Sequence, residues 1–379
     1  MKSLQSITQG VQRALPARWM QSAAIPSAVG HNSMRGNNAA FSQASPRRAL
    51  SSSKVLAPAY KLRPQGISSS RQRPPQGQAL YTTSTAKQPT IHNIYEKVTG
   101  TWQYIVADPS TSAAAIIDPV LNYDPATQAI TTQSADELLS LVQEKRYKIE
   151  KILETHAHAD HLTASAYLQS RLAQIQNFKP PIAIGKRIDQ VQKLFGKRYG
   201  LDEDEYTNVF NKLFDDDETF SIGNLTAKAI HLPGHTVDHL GYQIGDNVFC
   251  GDSLFHADIG TARCDFPGGD ATQLFQSARK LLELEDHVKI WPGHDYPPEG
   301  REPTPWMSVQ DQKKLNKHLR DAISQEEFVA MRNERDKGLN APRLLHQSLQ
   351  VNIRAGRLPK AHEGLRMLRL PLKLGKLEW

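Results

Sequence analysis

The chain is nearly without cysteine: among its 379 residues only Cys250 and Cys264 occur, in no paired-motif spacing. That excludes a disulfide-built scaffold and a thiolate zinc site, and it fits a reducing compartment. Any metal would have to be held by nitrogen and oxygen. Long apolar runs are also missing, and none approaches the roughly 20 residues that span a bilayer. The most uneven absence is that of acids. Residues 1–90 hold 12 Lys and Arg and no Asp or Glu, the first acid being Glu96. The remaining 34 basic residues face all 39 acids, so the formal charge of +7 divides into a basic leader and a body of −5. A body of that sign offers no general attraction to phosphate backbones, which argues against a nucleic-acid partner.

The leader is rich in Ser, Ala, Gln, Pro and Arg and cannot bury enough apolar surface to offset its chain entropy. Its first residues place Leu4, Ile7, Val11 and Leu15 on one helical stripe, with Lys2 and Arg13 off it and Pro16 as the stop. A short basic amphipathic helix without acids is the pattern of a mitochondrial transit peptide. Residues 1–88 are therefore expected to be a disordered leader, with Arg47-Arg48-Ala49-Leu50-Ser51 as a processing neighbourhood and the mitochondrial matrix as the destination.

Order is expected from 89. Short strands are predicted over 91–98, 102–108 and 113–118, broken by Gly100, Pro109 and Pro119. Ser134 to Glu137 has the spacing of a capping box opening a helix. A strand over 149–154, a helix over 162–173, a strand over 182–185 and a helix to 195 follow. The acid-rich 201–218 is predicted to be a solvated excursion. Strands return at 225–232, 240–244 and 248–250, then a helix at 271–284 and a strand at 288–291. The last part is read as helical, with Ser308 and Ser324 as caps. Strand runs interleaved with helices suggest an α/β sandwich. The boundaries expected are a catalytic domain over 89–305 and a C-terminal helical extension, 306–379, packed on it.

The chemistry is concentrated at strand ends. His156-Ala-His158-Ala-Asp160-His161 follows a predicted strand and puts four metal-competent side chains within six residues, spaced by small ones. Imidazole and carboxylate suit zinc, iron or manganese. Three further strands end in a ligand type: Pro233-Gly234-His235, Gly251-Asp252 and Pro292-Gly293-His294. Gly234 gives the backbone the freedom to aim His235 inward. Four strand ends of one design make a metal site the expected outcome.

Thr155-His-Ala-His-Ala-Asp-His161, Pro233-Gly-His-Thr236, Gly251-Asp-Ser-Leu-Phe255 and Pro292-Gly-His-Asp-Tyr296 together resemble the metallo-β-lactamase superfamily, over about 90–300. The resemblance implies an αββα sandwich with its metal site at one sheet edge, and a seven-ligand set matching His156, His158, Asp160, His161, His235, Asp252 and His294. Two metals are possible on this count. His158-Ala-Asp-His161-Leu-Thr163-Ala-Ser165 and Arg263-Cys-Asp265-Phe266 are similar to segments of the persulfide dioxygenase branch, in a bacterial-type subgroup, since Gly-Thr-Ala-Arg263 replaces the usual Gly-Cys-Gly-Arg.

That branch implies one Fe(II) on His156, His235 and Asp252, with His158, Asp160, His161 and His294 behind it. Its reaction is the oxidation of glutathione persulfide by O₂ to sulfite and glutathione. The alternative is a hydrolase of glutathione thioesters, similar to glyoxalase II, holding two Zn(II) on the same seven residues. Arg263, Asp265 and Tyr296 are the expected catalytic residues beside the metal. His231 is expected to back a ligand; His239 and His256 are left without a role. Cys250 and Cys264 are read as packing residues. The basic stretch 366–376 is read as a solvated face or an oligomer contact, and a homo-oligomer is a possible state.

Overall fold

The computed structural model describes residues 88–372 and Gly375. The leader expected over 1–88, Gln88 apart, and part of the basic stretch 366–376 lie outside the described residues. The chain runs β1 (Thr90–Glu96), β2 (Thr101–Ala107), β3 (Ala113–Ile117), β4 (Val120–Asp124), β5 (Ala129–Thr131), α1 (Gln133–Glu144), β6 (Lys148–Leu153) and β7 (Leu162–Thr163). It continues through α2 (Ser165–Gln176), β8 (Ile182–Gly185), α3 (Ile188–Tyr199), β9 (Lys212–Phe214), β10 (Thr219–Ile222), β11 (Leu225–His231), β12 (Leu240–Ile244) and β13 (Asn247–Gly251). The last elements are α4 (Ala271–Leu282), β14 (Lys289–Pro292), β15 (Met307–Ser308), α5 (Val309–Leu315), α6 (Gln325–Lys337) and α7 (Leu345–Asn352).

Two six-stranded sheets result, in the orders β1-β2-β3-β6-β8-β9 and β10-β11-β12-β13-β14-β15. The alternation of strand side chains decides their layering. In β2, Trp102, Tyr104 and Val106 join Tyr242, Phe249 and Trp291 of the second sheet in one core. Ile105 and Ala107, on the other face, pack with Leu138 of α1 and Leu168 of α2. On the outer face of the second sheet, Val248 and Ile290 meet Leu274 of α4, Val309 of α5 and Phe328 of α6. Both sheets are thus covered on both faces, which is why β2, β3, β8 and β13 are buried end to end. The architecture is an αββα sandwich. Leu349 of α7 packs with α3, and Val351 with the core beneath α1 and α2. Among the described residues no helix is long and apolar enough to cross a membrane.

Three local expectations are corrected. Ser134 is not an N-cap: α1 begins at Gln133, and Asn122 of β4 accepts from Ser134 N–H (2.8 Å) and donates to its hydroxyl (2.9 Å). A partner from another strand does the work that the capping box was assigned. The strand expected over 91–98 stops at Glu96, whose carboxylate accepts from the N–H groups of Val98 and Thr99 and turns the chain. The segment 201–218 is no excursion. Tyr206 and Val209 are buried, β9 adds an edge strand, and Asp215, Asp216 and Glu218 pair with Lys186, Arg187 and Lys212. Ser308 and Ser324 do cap helices, the latter with Glu327 in a full box.

Candidate metal centre

All seven expected ligands converge at one edge of the sandwich. The loop after β6 brings His156, His158, Asp160 and His161; the turns after β11, β13 and β14 bring His235, Asp252 and His294. Rigid strand ends fix each loop at its root. Gly234 adopts φ +135° beneath the first turn of α4. Gly251 adopts φ +48°, and a Cβ there would stand 2.7 Å from the Thr155 hydroxyl and 2.8 Å from His239. Glycine is required at both places.

Each imidazole spends one nitrogen on the protein and turns the other to the centre. His235 Nδ1–H donates to the Arg263 carbonyl at 2.8 Å. His161 and His294 donate from Nδ1 to the carbonyls of Leu162 and Gly100, at 3.2 Å each. His156 Nδ1 is 3.0 Å from the Thr155 hydroxyl. His158 is reversed: its Nε2 lies 3.1 Å from Asp118 Oδ1 and 3.4 Å from Glu154 Oε2. That leaves His156 Nε2, His158 Nδ1, Asp160 Oδ2, His161 Nε2, Asp252 Oδ1 and His294 Nε2 buried without a hydrogen-bond partner.

A buried unpaired polar atom costs about 1–3 kcal/mol, so six in one place call for a common partner. A divalent cation fits this donor set. Ligand atoms of His156, His235 and Asp252 lie within 4.8 Å of one another, as do those of His158, Asp160 and His161. Asp252 Oδ1 and Asp160 Oδ2 stand 3.5 and 3.2 Å from His294 Nε2, which links the two groups.

The electrostatics fit neutral imidazole ligands. Burial, then the charges of the neighbouring imidazoles, holds His156 well below the ordinary histidine value. Burial and His158 bring His161 down to about 4. Burial would lift Asp160, but His294, His161 and His158 outweigh it and hold it at about 2. His294 and His158 differ: burial opposes the charge of His294, but Asp252 and Asp160 raise it above the usual value. Burial opposes the charge of His158 too, yet Asp118 and Glu154 raise it well above the usual value.

The centre opens on a cleft of about 450 Å³. Asp160, His235, Asp252, Phe255 and Tyr296 form its metal side. Arg263, Arg332, Arg335 and Arg343 line the remainder. Arg263 holds both oxygens of Asp265 at 2.5 Å, so Asp265 supports the cleft wall through Arg263. The Tyr296 ring is 51% exposed and stacks on His294, centroids 5.5 Å apart. Arg332 is buried against Asp336 and donates to the carbonyls of Thr261 and Ala262, shaping the loop that carries Arg263. Arg335 donates to His318 Nε2 at 3.0 Å.

His231 does not back a ligand: its Nε2 donates to the Val237 carbonyl and its other face turns to Asp216. His256 pairs with Asp258 at 2.7 Å. His239 does take part, its Nε2 accepting from Asp252 N–H at 2.9 Å while its ring stacks on His156. Cys250 and Cys264 belong to the core under α4, and burial pushes both thiols up to about 12.

Sequence reasoning missed Asp118, Glu154 and Asn352. Asp118 accepts from Thr155 N–H and Oγ1 besides meeting His158. Glu154 takes the hydroxyls of Thr163 and Ser165. For Asp118 the signal was present, an acid ending the apolar strand Ala-Ala-Ala-Ile-Ile before Pro119, the pattern that marked Asp252.

Residues 97–294 match the family model of the metallo-beta-lactamase superfamily. Glyoxylase B2 of Dictyostelium discoideum is 44% identical over 281 residues, covering 73% of this chain and 94% of that protein. A probable metallo-hydrolase of Burkholderia pseudomallei is 39% identical over 296 residues, 75% of this chain and 99% of its own length. The human mitochondrial persulfide dioxygenase ETHE1 is 26% identical over 269 residues, 70% of this chain and 88% of that protein. Among solved structures, ETHE1 from Myxococcus xanthus superposes with a TM-score of 0.57 at 27% identity, covering 71% of this chain and all of that one.

Proposed function

Because the chain belongs to the metallo-β-lactamase superfamily and gathers that set of ligand types at its sheet edge, we propose that it is a metal-dependent enzyme working at the sulfur of a glutathione-type conjugate. The reaction we assign is oxidation of glutathione persulfide by O₂ and one water to glutathione and sulfite. The observation that carries it is the grouping of His156 and His235 with Asp252, whose ligand atoms lie within 4.8 Å of one another. Two imidazoles and one carboxylate are the ligand set of non-haem Fe(II) oxygenases. The likeness to the persulfide dioxygenase ETHE1 supports this reading.

When bound, Fe(II) supplies a centre at which O₂ and a sulfur ligand react by electron transfer. The chain's own part is placement. His156, His235 and Asp252 would hold the metal. Arg263, Arg335 and Arg343 of the cleft would pair with the carboxylates of the tripeptide, and Tyr296 and Phe255 would wall its sulfur end. Arg263, kept in place by Asp265, is the cleft arginine nearest in sequence to the ligand loops.

A second reading has a specific support. The relatives of higher identity carry glyoxylase and metallo-hydrolase names, and His158, Asp160, His161 and His294 provide donors for a second ion. On that reading two Zn(II) hydrolyse a glutathione thioester.

One experiment separates the two: metal analysis of anaerobically purified protein, with O₂ uptake on adding glutathione persulfide and thioester cleavage measured in parallel. About one iron per chain and persulfide-dependent uptake support the dioxygenase. Two zinc ions, thioester cleavage and no uptake replace it with the hydrolase. The acid-free basic leader supports a location in the mitochondrial matrix, which a reporter fused to residues 1–88 would test.

A further inference from the structure

Helix α7 lies beyond the segment that matches the family model, yet its last residue reaches into the ligand loop. Asn352 is 3% exposed. Its Nδ2 donates to the carbonyls of His158 (2.7 Å) and His161 (2.8 Å), and its Oδ1 accepts from Thr163 N–H (2.9 Å). Two carbonyls and one N–H admit a single orientation of the amide, so all three bonds are made at once. One side chain therefore grips the backbone on both sides of Asp160, in a loop that has no strand or helix pairing between β6 and β7. Gly356 allows this close approach. It adopts φ +80°, and a Cβ there would stand 3.0 Å from Thr163 O and from Ala166 N. Gln192 of α3 seats the helix end by donating to the Ile353 carbonyl at 2.9 Å.

We propose that Asn352 is a positioning residue for the metal centre, holding residues 158–163 so that the loop's donor atoms stay converged and metal affinity depends on this amide. The inference rests on the metal reading of the site and is independent of which reaction the metal serves. His156 is two residues from the first gripped carbonyl, and Asp160 lies between the two. A side chain that merely completed the end of α7 would affect the melting temperature and leave the metal's surroundings alone.

The test is titration of the chelator-stripped full chain with Co(II), followed by visible absorption. Asn352→Leu should weaken Co(II) binding by about 10- to 100-fold, the range for residues that back metal ligands, and shift the ligand-field bands. Asn352→Ser, which keeps a short donor and acceptor, should fall between it and wild type, and it carries the test if the leucine variant does not fold. Gln350→Ala, which cuts the ties of α7 to Arg369 and to the His346 carbonyl without touching the loop, should keep both affinity and bands. Wild-type affinity and bands in the Asn352 variants overturn the proposal. Equal weakening in Gln350→Ala also overturns it, because docking of the helix would then be the cause. A wild-type chain that takes up no Co(II) overturns the metal reading itself.

Discussion

The two three-ligand groups at the sheet edge use the same residue types and differ in what stands behind them. His156 and His235 rest on a hydroxyl and a backbone carbonyl, both uncharged partners. His158 rests on two buried carboxylates, which favour its protonated form and draw its Nε2 away from the centre. The two groups thus differ one layer behind the candidate ligands, where a charge replaces a dipole. Seven competent side chains do not by themselves set the metal count.

The sharpest way to break this contrast is to remove a member of each group. Asp252→Ala or His235→Ala should abolish iron retention and persulfide-dependent O₂ uptake, a loss beyond the roughly 100-fold upper end for residues that only back a ligand. His161→Ala should stay within about 10- to 100-fold. Equal and complete losses in an oxygen electrode and in metal analysis would erase the distinction and favour two ions.

Next in size is the charge behind His158. Asp118→Ala leaves that imidazole and the Thr155 donors without their carboxylate, and breaking a buried pair costs about 3–5 kcal/mol. Urea unfolding should show that loss, while Asp118→Asn, which keeps an acceptor, should lose less.

Arg263→Ala should have a smaller effect of another kind. Its partly exposed pair with Asp265 contributes about 0–1 kcal/mol to stability, so the fold should survive. KM for the persulfide should rise severalfold with kcat little changed, since an interaction common to ground and transition states is removed. A steady-state profile equal to wild type would take Arg263 out of substrate binding.

The smallest effect lies at the far end of β2 from Thr101, which meets His294. Burial would raise Asp108, but bonds from Asn224, Ser110 and Thr111 outweigh it and hold the carboxyl well below the usual carboxylate range. A depressed carboxylate contributes stability above its unfolded value of about 3.9 and loses it as the pH falls toward the folded value. Asp108→Asn should therefore flatten the acid limb of a stability–pH curve between about pH 4 and 2 while leaving metal content unchanged.

Much of this was legible in the sequence because it is local. The strands 182–185 and 240–244 were placed to the residue, and the seven candidate ligands, which the structure brings together, stood out because each ends a strand or sits in one hexapeptide. What stayed hidden depends on partners distant in sequence. Asn122 replaces the Ser134 cap, and Lys186 and Arg187 turn acids of 201–218 into a folded edge. Asn352 meets a loop about 190 residues earlier, and no spacing rule connects them. His231 and His239 both lie near motif residues, but strand alternation turns His231 toward Val237 and Asp216, and the turn brings His239 under Asp252.

The burial of the two cysteines has a consequence of its own under the proposed reaction, in which the substrate would be a sulfur donor. A persulfide passes its outer sulfur to any accessible thiolate, and an exposed cysteine near the cleft would be modified at every turnover. Here both thiols are buried, stay protonated at any physiological pH and pack under α4. Under that reaction the chain would be chemically deaf to its substrate at both thiols, and native iodoacetamide treatment should leave Cys250 and Cys264 unlabelled.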